Sequence, residues 1–335
     1  MKKALLSAIL GASMTAGIAP QAAAEADYIL ATASTGGTYY PVGVAISTLT
    51  KVKLQPKQKI GMSAINSAGS GENLRLIRER EADFAILQGL YGYYGYQGVG
   101  PVEKDGPQTH LRSVSMLWQN VEHYIVQNEF AKTGTVSDIV GLKGETLGMG
   151  RQNSGTIGSN AAIMGNLGLD IYSDVELMHG GYGPSADALQ NGQVAGVGIP
   201  AGIPVGAITK LMASAGDQVT LLNMTAEQQK QADAGFNLWT PFTIPAGTYP
   251  GQDAAVQTVA QPNFLGTHAD VDEEHVYLIT KTIYENLPFL NGIHPATKVM
   301  ALEKAIDGLP APLHPGAARY YQEQGLNIPA RLIAN

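Results

Sequence analysis

Short apolar runs alternate with amphipathic segments along the first part of the chain. Residues 28–31, 60–64 and 83–88 have the length and composition of buried strands. Between them, residues 42–49 and 70–80 carry apolar side chains at helical spacing. The order strand, helix, strand, helix, strand predicts a parallel, doubly wound α/β sheet. In open sheets of this kind, ligands bind beyond the carboxyl ends of the strands.

The same pattern starts again in the middle of the chain. A strand-like segment at 142–149 precedes a helical pattern at 157–167, and a further helix and strand follow within 185–199. Residues 256–260 then predict a strand that returns to the first unit. We therefore expect two lobes, each a doubly wound sheet with flanking helices, and a ligand cleft between them. The expected boundaries are 27–113 plus 258–335 for the first lobe and 114–257 for the second.

The first predicted strand ends in a turn of small residues ahead of a helix. Residues 33–41 read Ala-Ser-Thr-Gly-Gly-Thr-Tyr-Tyr-Pro. The N–H groups and hydroxyls of such a turn meet at the positive end of the helix, where carboxylates and phosphates bind readily. Its serine and threonines can equally be helix caps, because capping uses the same geometry. The candidate ligand residues of this turn are Ser34, Thr35, Gly36, Gly37, Thr38 and Tyr39.

A second turn of this kind follows the strand at 142–149 and contains Arg151. The planar guanidinium matches a carboxylate with two parallel hydrogen bonds. The alternative is a surface arginine that pairs with an Asp or Glu. Four further candidates share the turn, Asn153, Ser154, Gly155 and Thr156, and one of them can equally cap the next helix. Three further candidates, Pro200, Ala201 and Gly202, lie in a third small-residue loop. The last two are Asn66, after the second strand, and Gln88, at the end of the third.

The first 24 residues have the features of a secretory signal peptide. Lys2 and Lys3 precede an apolar stretch at 4–18, and three alanines follow at 22–24. The apolar stretch is shorter than the roughly 20 residues that a spanning helix needs. We therefore expect export and cleavage after Ala24. The chain has no cysteine, so we expect no lipid anchor at the cleavage site.

Charge and motif content argue against several classes of function. The 335 residues include 21 Lys and Arg against 28 Asp and Glu, which disfavours a nucleic-acid partner. No Gly-Lys-Ser/Thr sequence occurs, and Ser154 lacks the glycine that a nucleophile elbow has two residues earlier. The seven histidines show no metal-ligand spacing. We therefore expect no catalytic residue, no metal and no cofactor.

Four motifs together resemble a known family. They are Ser-Thr-Gly-Gly-Thr-Tyr-Tyr-Pro at 34–41, Ser-Gly-Glu-Asn-Leu-Arg-Leu-Ile at 70–77, Ala-Asp-Phe-Ala-Ile-Leu-Gln at 82–88 and Ile-Pro-Ala-Gly-Thr-Tyr-Pro-Gly-Gln at 244–252. In combination they are similar to the TAXI-type substrate-binding proteins of TRAP transporters. The resemblance implies a two-lobed type II periplasmic binding protein, not an enzyme. Such a receptor captures a small organic anion and delivers it to the membrane subunits of an ion-gradient-driven permease.

The resemblance also implies a ligand class and a site. The ligand turns carry over to 34–39 and 154–156, and relatives bind glutamate-like or 2-oxoglutarate-like acids. Many relatives have a Pro-Gly-rich turn before Ser-Gly-Thr, where this chain has Arg151-Gln152-Asn153. That difference favours a second carboxylate, so we expect a C4–C5 dicarboxylate or an acidic amino acid, bound by a monomer. The alternatives are an ABC-type or sensor-coupled receptor for an amino acid or other anion, and a transferase with type II lobes.

Overall fold

The structure, a computed structural model, describes residues 25–334, so the predicted signal peptide at 1–24 lies outside the described residues. The strands are β1 (Ala26–Ala31), β2 (Ile60–Ile65), β3 (Phe84–Gln88), β4 (Leu111–Val121), β5 (Tyr124–Gln127), β6 (Thr146–Gly148), β7 (Glu176–Leu177), β8 (Gly196–Gly198), β9 (Val219–Leu221), β10 (Thr240–Ile244) and β11 (Val256–His268). The helices are α1 (Tyr39–Gln58), α2 (Ser70–Arg78), α3 (Gly89–Gln97), α4 (Ser137–Val140), α5 (Gly155–Leu167), α6 (Tyr182–Gln190), α7 (Gly206–Ala215), α8 (Ala226–Asp233), α9 (Glu273–Glu285), α10 (Leu287–Ile293) and α11 (Pro315–Glu323), with short 3₁₀ turns at Gly100–Asp105, Asn128–Phe130, Pro295–Val299, Leu302–Lys304 and Ala330–Leu332. Among the helices described, none has both the length and the apolar character needed to cross a membrane.

The first sheet contains the three strands expected at the start of the chain. Its order is β10-β11-β3-β1-β2, and β4 also pairs with β11. β1 runs parallel to β2, with Ala26 opposite Ile60, and parallel to β3, with Leu30 opposite Phe84. β11 is antiparallel to β3, β4 and β10. The predicted parallel order is therefore present, and antiparallel pairings extend the sheet on one side.

The second sheet has the order β7-β6-β8-β5-β9. β6 is parallel to β7 and to β8, whereas β5 is antiparallel to β8 and β9. β6 leads through a turn into α5, and β8 leads through a loop into α7. The second half of the chain thus repeats the strand, turn and helix arrangement of the first half.

Within residues 25–334, the main chain passes between the two sheets at two places. It leaves the first sheet at Val121, the end of β4, and enters the second at Tyr124, the start of β5. It returns to the first sheet at Thr240, the start of β10. The expected lobe boundaries at 113/114 and 257/258 fall inside β4 and β11, because both strands continue along the first sheet in antiparallel pairing.

Fully buried apolar side chains join the first sheet to its helices. Leu30 in β1, Ile60 in β2 and Ile86 in β3 belong to one core with Ile46 of α1 and Leu74 of α2. Burial of each such side chain contributes roughly 1.5–3 kcal/mol to folding. This packing fixes where α1 and α2 begin relative to the strand ends, and so positions the turns that precede them.

Candidate functional site

A cavity lies between the two sheets, where the parallel strands end. The first sheet lines it with Gln88, the last residue of β3, and with the turns that follow β1 and β2. From the second sheet it is reached by turns that follow β6, β7 and β8. The cavity is small, with a volume of about 30 Å³. A site at the carboxyl ends of the strands is the location that this type of sheet favours.

Most of the residues singled out from the sequence line this cavity. They are Ser34, Gly37, Thr38, Tyr39, Gln88, Arg151, Ser154, Gly155, Thr156, Pro200 and Ala201. The structure thus brings together turns that are far apart in the sequence. The residues that do not line the cavity are Thr35, Gly36, Asn66, Asn153 and Gly202. A ligand-binding role for any member of the set stays a prediction.

Three of the residues outside the lining lie on or near the surface. Thr35 and Asn66 are exposed. The carbonyl of Gly36 accepts a hydrogen bond from the N–H of Ala207 at 3.2 Å. That bond connects the turn before α1 to the first turn of α7. Gly36 therefore joins the two sheets at the edge of the cavity through its backbone.

Gly202 and Asn153 also connect the two sides of the cavity through their backbones. The carbonyl of Gly202 accepts a hydrogen bond from Oγ1 of Thr38 at 2.7 Å. Asn153 has a left-handed backbone (φ 58°), and its carbonyl accepts a hydrogen bond from the N–H of Glu72 at 2.9 Å. Both residues therefore hold the first and second sheets in contact.

Four helices begin at the edge of the cavity. α1 begins at Tyr39, α2 at Ser70, α5 at Gly155 and α6 at Tyr182, and each of these residues lines the cavity. The first N–H groups of a helix have no partner inside the helix, and the helix dipole makes this end positive. The cavity therefore lies where four partial positive charges meet, which favours an anion.

Ser154 caps α5, which is one of the two roles that the sequence left open. Its Oγ accepts a hydrogen bond from the N–H of Ile157 at 3.1 Å and donates one to the carbonyl of Arg151 at 2.7 Å. Thr38 precedes α1 but makes no side-chain cap bond. The Ser154 cap fixes the turn between Arg151 and α5, and this holds the first turn of α5 against the cavity.

Arg151 is the one charged residue of the cavity lining within residues 25–334. Its Nη1 lies 3.4 Å from the carbonyl oxygen of Ser67, at the limit of a hydrogen bond. Its Nε lies beside Gly181, where a Cβ atom would be 3.3 Å away. None of the ion pairs in the described part of the chain includes Arg151. Its donors are thus available to an acid in the cavity.

Neutral polar side chains form the inner wall of the cavity. Gln88 donates from Nε2 to the carbonyl of Gly155 at 2.8 Å and accepts from Nδ2 of Asn120 at 3.3 Å. Tyr39 donates from its hydroxyl to Oδ1 of Asn263 at 2.5 Å, and burial raises the pKa of Tyr39 well above its ordinary value. These side chains are buried. The wall therefore offers shape and fixed dipoles without adding charge.

The list of candidate residues did not include eight residues of the lining, which are Ala33, Ala68, Gly69, Ser70, Asn120, Gly180, Gly181 and Tyr182. Tyr182 donates to the carbonyl of Pro200, and its hydroxyl lies 3.0 Å from Oγ1 of Thr156. The glycine pair before Tyr182 follows a strand and precedes a helix, so it repeats the pattern of the first turn. Asn120 lies inside β4, where no local motif distinguishes it.

Several solved structures resemble the fold of this chain. MatC from Rhodopseudomonas palustris with bound malate has a TM-score of 0.55 and 14% identity, and the match covers 89% of this chain and 96% of MatC. A protein of Bordetella bronchiseptica RB50 has a TM-score of 0.52 and 14% identity over 89% of this chain and 82% of its own. A Xanthomonas citri protein bound to ATP has a TM-score of 0.51 and 10% identity over 89% and 95%.

At these identities, the likeness shows the fold and leaves the activity open. The two-lobed α/β fold of a type II periplasmic binding protein, with two sheets and flanking helices, is thereby confirmed. The model of the NMT1-like family matches residues 30–325. Since this match spans most of the sequence, the chain belongs to the NMT1-like family.

Proposed function

We propose that this protein is a solute receptor that binds a small organic anion in the cavity between its two sheets, and that it is not an enzyme. The observation that carries the proposal is the meeting of four helix N-termini with the Arg151 guanidinium around one small cavity. Helix N-termini and arginine are the groups that proteins use to bind carboxylates. A C4–C5 dicarboxylate has two such groups at the ends of a short chain.

In this proposal, the two carboxylates have different partners. The first-turn N–H groups of α5, at Gly155 and Thr156, hold one carboxylate. Arg151 holds the second with parallel hydrogen bonds. Ser34, on the turn before α1, supplies a hydroxyl group from the opposite side. MatC, which shares the fold, was solved with malate, and malate is a member of the ligand class proposed here.

Ligand binding stabilises the closed arrangement of the two lobes. Direct hydrogen bonds join the sheets at the cavity, from Thr38 to Gly202 at 2.7 Å and from Gln88 to Gly155 at 2.8 Å. A ligand that contacts turns from both sheets makes all its contacts only when these turns are together. Such a ligand shifts the population towards the closed form. The closed form then presents the surface that a membrane permease recognises.

We further propose that the receptor is of the TAXI type, is exported to the periplasm as a monomer and delivers its ligand to a TRAP permease. This part rests on the four motifs and on the predicted signal peptide. The gene neighbourhood separates it from the alternatives. A neighbouring multi-span permease without an ATPase supports the proposal, whereas an ATPase gene favours an ABC-type system and a sensor kinase gene favours signalling.

Thermal unfolding with a panel of small acids tests the receptor function. The protein is first unfolded and refolded, so that any co-purified ligand is removed. A ligand at 100 times its Kd adds about 2.7 kcal/mol to the free energy of unfolding, which raises Tm by a few degrees or more. We expect a selective shift with at least one C4 or C5 dicarboxylate, and a smaller one with monocarboxylates, phosphate and sulfonates. Equal Tm values across the panel would contradict the proposal.

A further inference from the structure

We propose that the cavity selects acids without an amino group, so that its ligand is a 2-oxo, 2-hydroxy or unsubstituted dicarboxylate rather than an acidic amino acid. This inference rests on the receptor function proposed above. It narrows the ligand class expected from the sequence, which includes both 2-oxoglutarate and glutamate. Three features of the cavity support it: the sign of its charges, the use of its carbonyl groups and the position of the buried carboxyl beside it.

The charges and dipoles around the cavity are positive. Arg151 is the charged member of the described lining, and no Asp or Glu of residues 25–334 accompanies it there. The N-termini of α1, α2, α5 and α6 add four further partial positive charges. An ammonium group placed in this cavity is therefore repelled by Arg151 and by helix N-termini of both sheets, whereas a keto or hydroxyl oxygen is not.

Three backbone carbonyl groups around the cavity already accept hydrogen bonds from side chains of the protein. The carbonyl of Pro200 accepts from the Tyr182 hydroxyl. The carbonyl of Gly155 accepts from Nε2 of Gln88 at 2.8 Å. That of Arg151 accepts from Oγ of Ser154 at 2.7 Å. These three acceptors are therefore already in use and are not free for an ammonium group of a ligand.

Glu122 is a buried carboxyl beside the site, but it does not line the cavity. Its Oε1 accepts hydrogen bonds from Oγ of Ser159 at 2.5 Å and from Nε1 of Trp239 at 3.2 Å. Burial raises the pKa of Glu122 to about 7, so a large share of the carboxyl is neutral at neutral pH. It is therefore not placed to act as the partner of an ammonium group in the cavity.

An α-ammonium group carries a positive charge and three N–H donors. Removing a charged group from water into a closed cavity costs free energy unless an opposite charge and hydrogen-bond acceptors replace the water. This cavity supplies donors and positive ends of helices instead. A 2-oxo or 2-hydroxy oxygen accepts hydrogen bonds from those donors. The two kinds of acid should therefore differ in Kd although their carboxylates are the same.

Calorimetry with matched acids tests this selectivity. The refolded protein is titrated at pH 7.5 with 2-oxoglutarate and L-glutamate, with malate and L-aspartate, and with succinate. We expect Kd to be at least tenfold larger for the amino acid of each pair. The Kd of succinate should be close to those of 2-oxoglutarate and malate. Binding of glutamate or aspartate as tightly as its partner overturns the inference and leaves the receptor function standing. Absence of binding by all five acids overturns the receptor function and this inference with it.

A second experiment changes the charge of the lining. Asn120→Asp keeps the size of the side chain and adds a carboxylate to the cavity wall. We expect the ratio of the glutamate and 2-oxoglutarate Kd values to fall at least threefold, because the ammonium group then has a counter-charge. Asn327→Asp, at an exposed position outside the lining, is the matched control and should leave the ratio unchanged. Equal weakening of both ligands by Asn120→Asp overturns the inference.

Discussion

Arg151 lies three residues after β6 and four before α5, so both elements fix its backbone. The Ser154 side chain closes this turn by accepting from α5 and donating to the Arg151 carbonyl. The guanidinium makes one long hydrogen bond to Ser67 and no ion pair within the described chain. An arginine held in this way, at a cavity without acidic residues in its described lining, is suited to a ligand carboxylate.

Replacement of Arg151 by Ala should weaken the binding of dicarboxylates far more than the binding of monocarboxylates. Loss of hydrogen bonds to a charged group costs about 1.5–3 kcal/mol, which is roughly a tenfold to hundredfold increase in Kd. Calorimetry with the strongest dicarboxylate and with a monocarboxylate of equal length measures the two losses. Arg80→Ala is the control, because Arg80 is exposed and does not line the cavity. Equal losses for both acids would exclude the proposed role of Arg151.

The buried side chain of Glu122 makes the stability of the fold depend on pH. Glu122 lies where the chain leaves β4 and enters β5. Burial raises its pKa to about 7, from an ordinary value of 4.5. The native state then binds more protons than the unfolded state between these two pH values, so this group lowers stability as pH rises. Its neighbour His123 acts in the opposite direction below pH 6.5, because burial lowers the pKa of His123 to about 4.

Glu122→Gln separates these two contributions. Glutamine retains an Oε1 acceptor for Ser159 and Trp239 but cannot ionise, so the variant lacks the loss of stability between pH 4.5 and about 7. We expect the free energy of unfolding of the variant to exceed that of the wild type by more at pH 8 than at pH 5. Urea denaturation at the two pH values measures this difference. Parallel pH dependence of the two proteins would show that Glu122 titrates normally.

At the scale of elements, the beginnings of helices control how closely the two sheets approach. The turn before α5 packs on the start of α2, where the N–H of Glu72 donates to the Asn153 carbonyl at 2.9 Å. Gly71 lies at this contact, and a Cβ atom there would be 3.0 Å from the carbonyl carbon of Asn153 and closer still to its oxygen. The absence of a side chain at Gly71 therefore permits the contact.

Gly71→Ala should weaken ligand binding without changing any residue of the cavity lining. The added methyl group meets backbone atoms, which cannot rotate away, so the turn before α5 must move from α2. We expect Kd to rise roughly tenfold, or about 1.4 kcal/mol, as measured by calorimetry. Gly165→Ala in α5 is the matched control, because nothing lies within 4 Å of its added Cβ. That variant should bind normally and gain up to about 1 kcal/mol of stability.

The elements also show what the sequence can predict. Strand, glycine-containing turn and helix follow one another locally, so the turns before α1 and α5 were predictable from short segments. Asn120 was not, because it lies near the end of β4, where no local motif distinguishes it, and reaches the cavity through long-range pairing of β4 with β11. The sequence also did not predict the backbone hydrogen bonds by which Asn153 and Gly202 join the two sides of the cavity. Sequence predicts that such loop residues are near the cleft, but only the packing of the two sheets shows that their carbonyls join its sides.

At the scale of the whole molecule, the two sheets share a cavity that neither could form alone. The first sheet contributes Gln88 and the beginnings of α1 and α2, and the second contributes Arg151 and the beginnings of α5 and α6. The chain crosses between the sheets at only two places in the described residues, and we propose that the sheets separate about these crossings when the cavity opens. In this proposal, ligand binding and closure of the lobes are coupled.

The most direct test is a crystal structure of the refolded protein with the acid that stabilises it most. The account predicts an anion in the cavity, with one carboxylate within hydrogen-bond distance of the Arg151 guanidinium. The other carboxylate should face the first-turn N–H groups of α5, at Gly155 and Thr156. An anion bound elsewhere, with only water in this cavity at saturating ligand, would contradict the central claim.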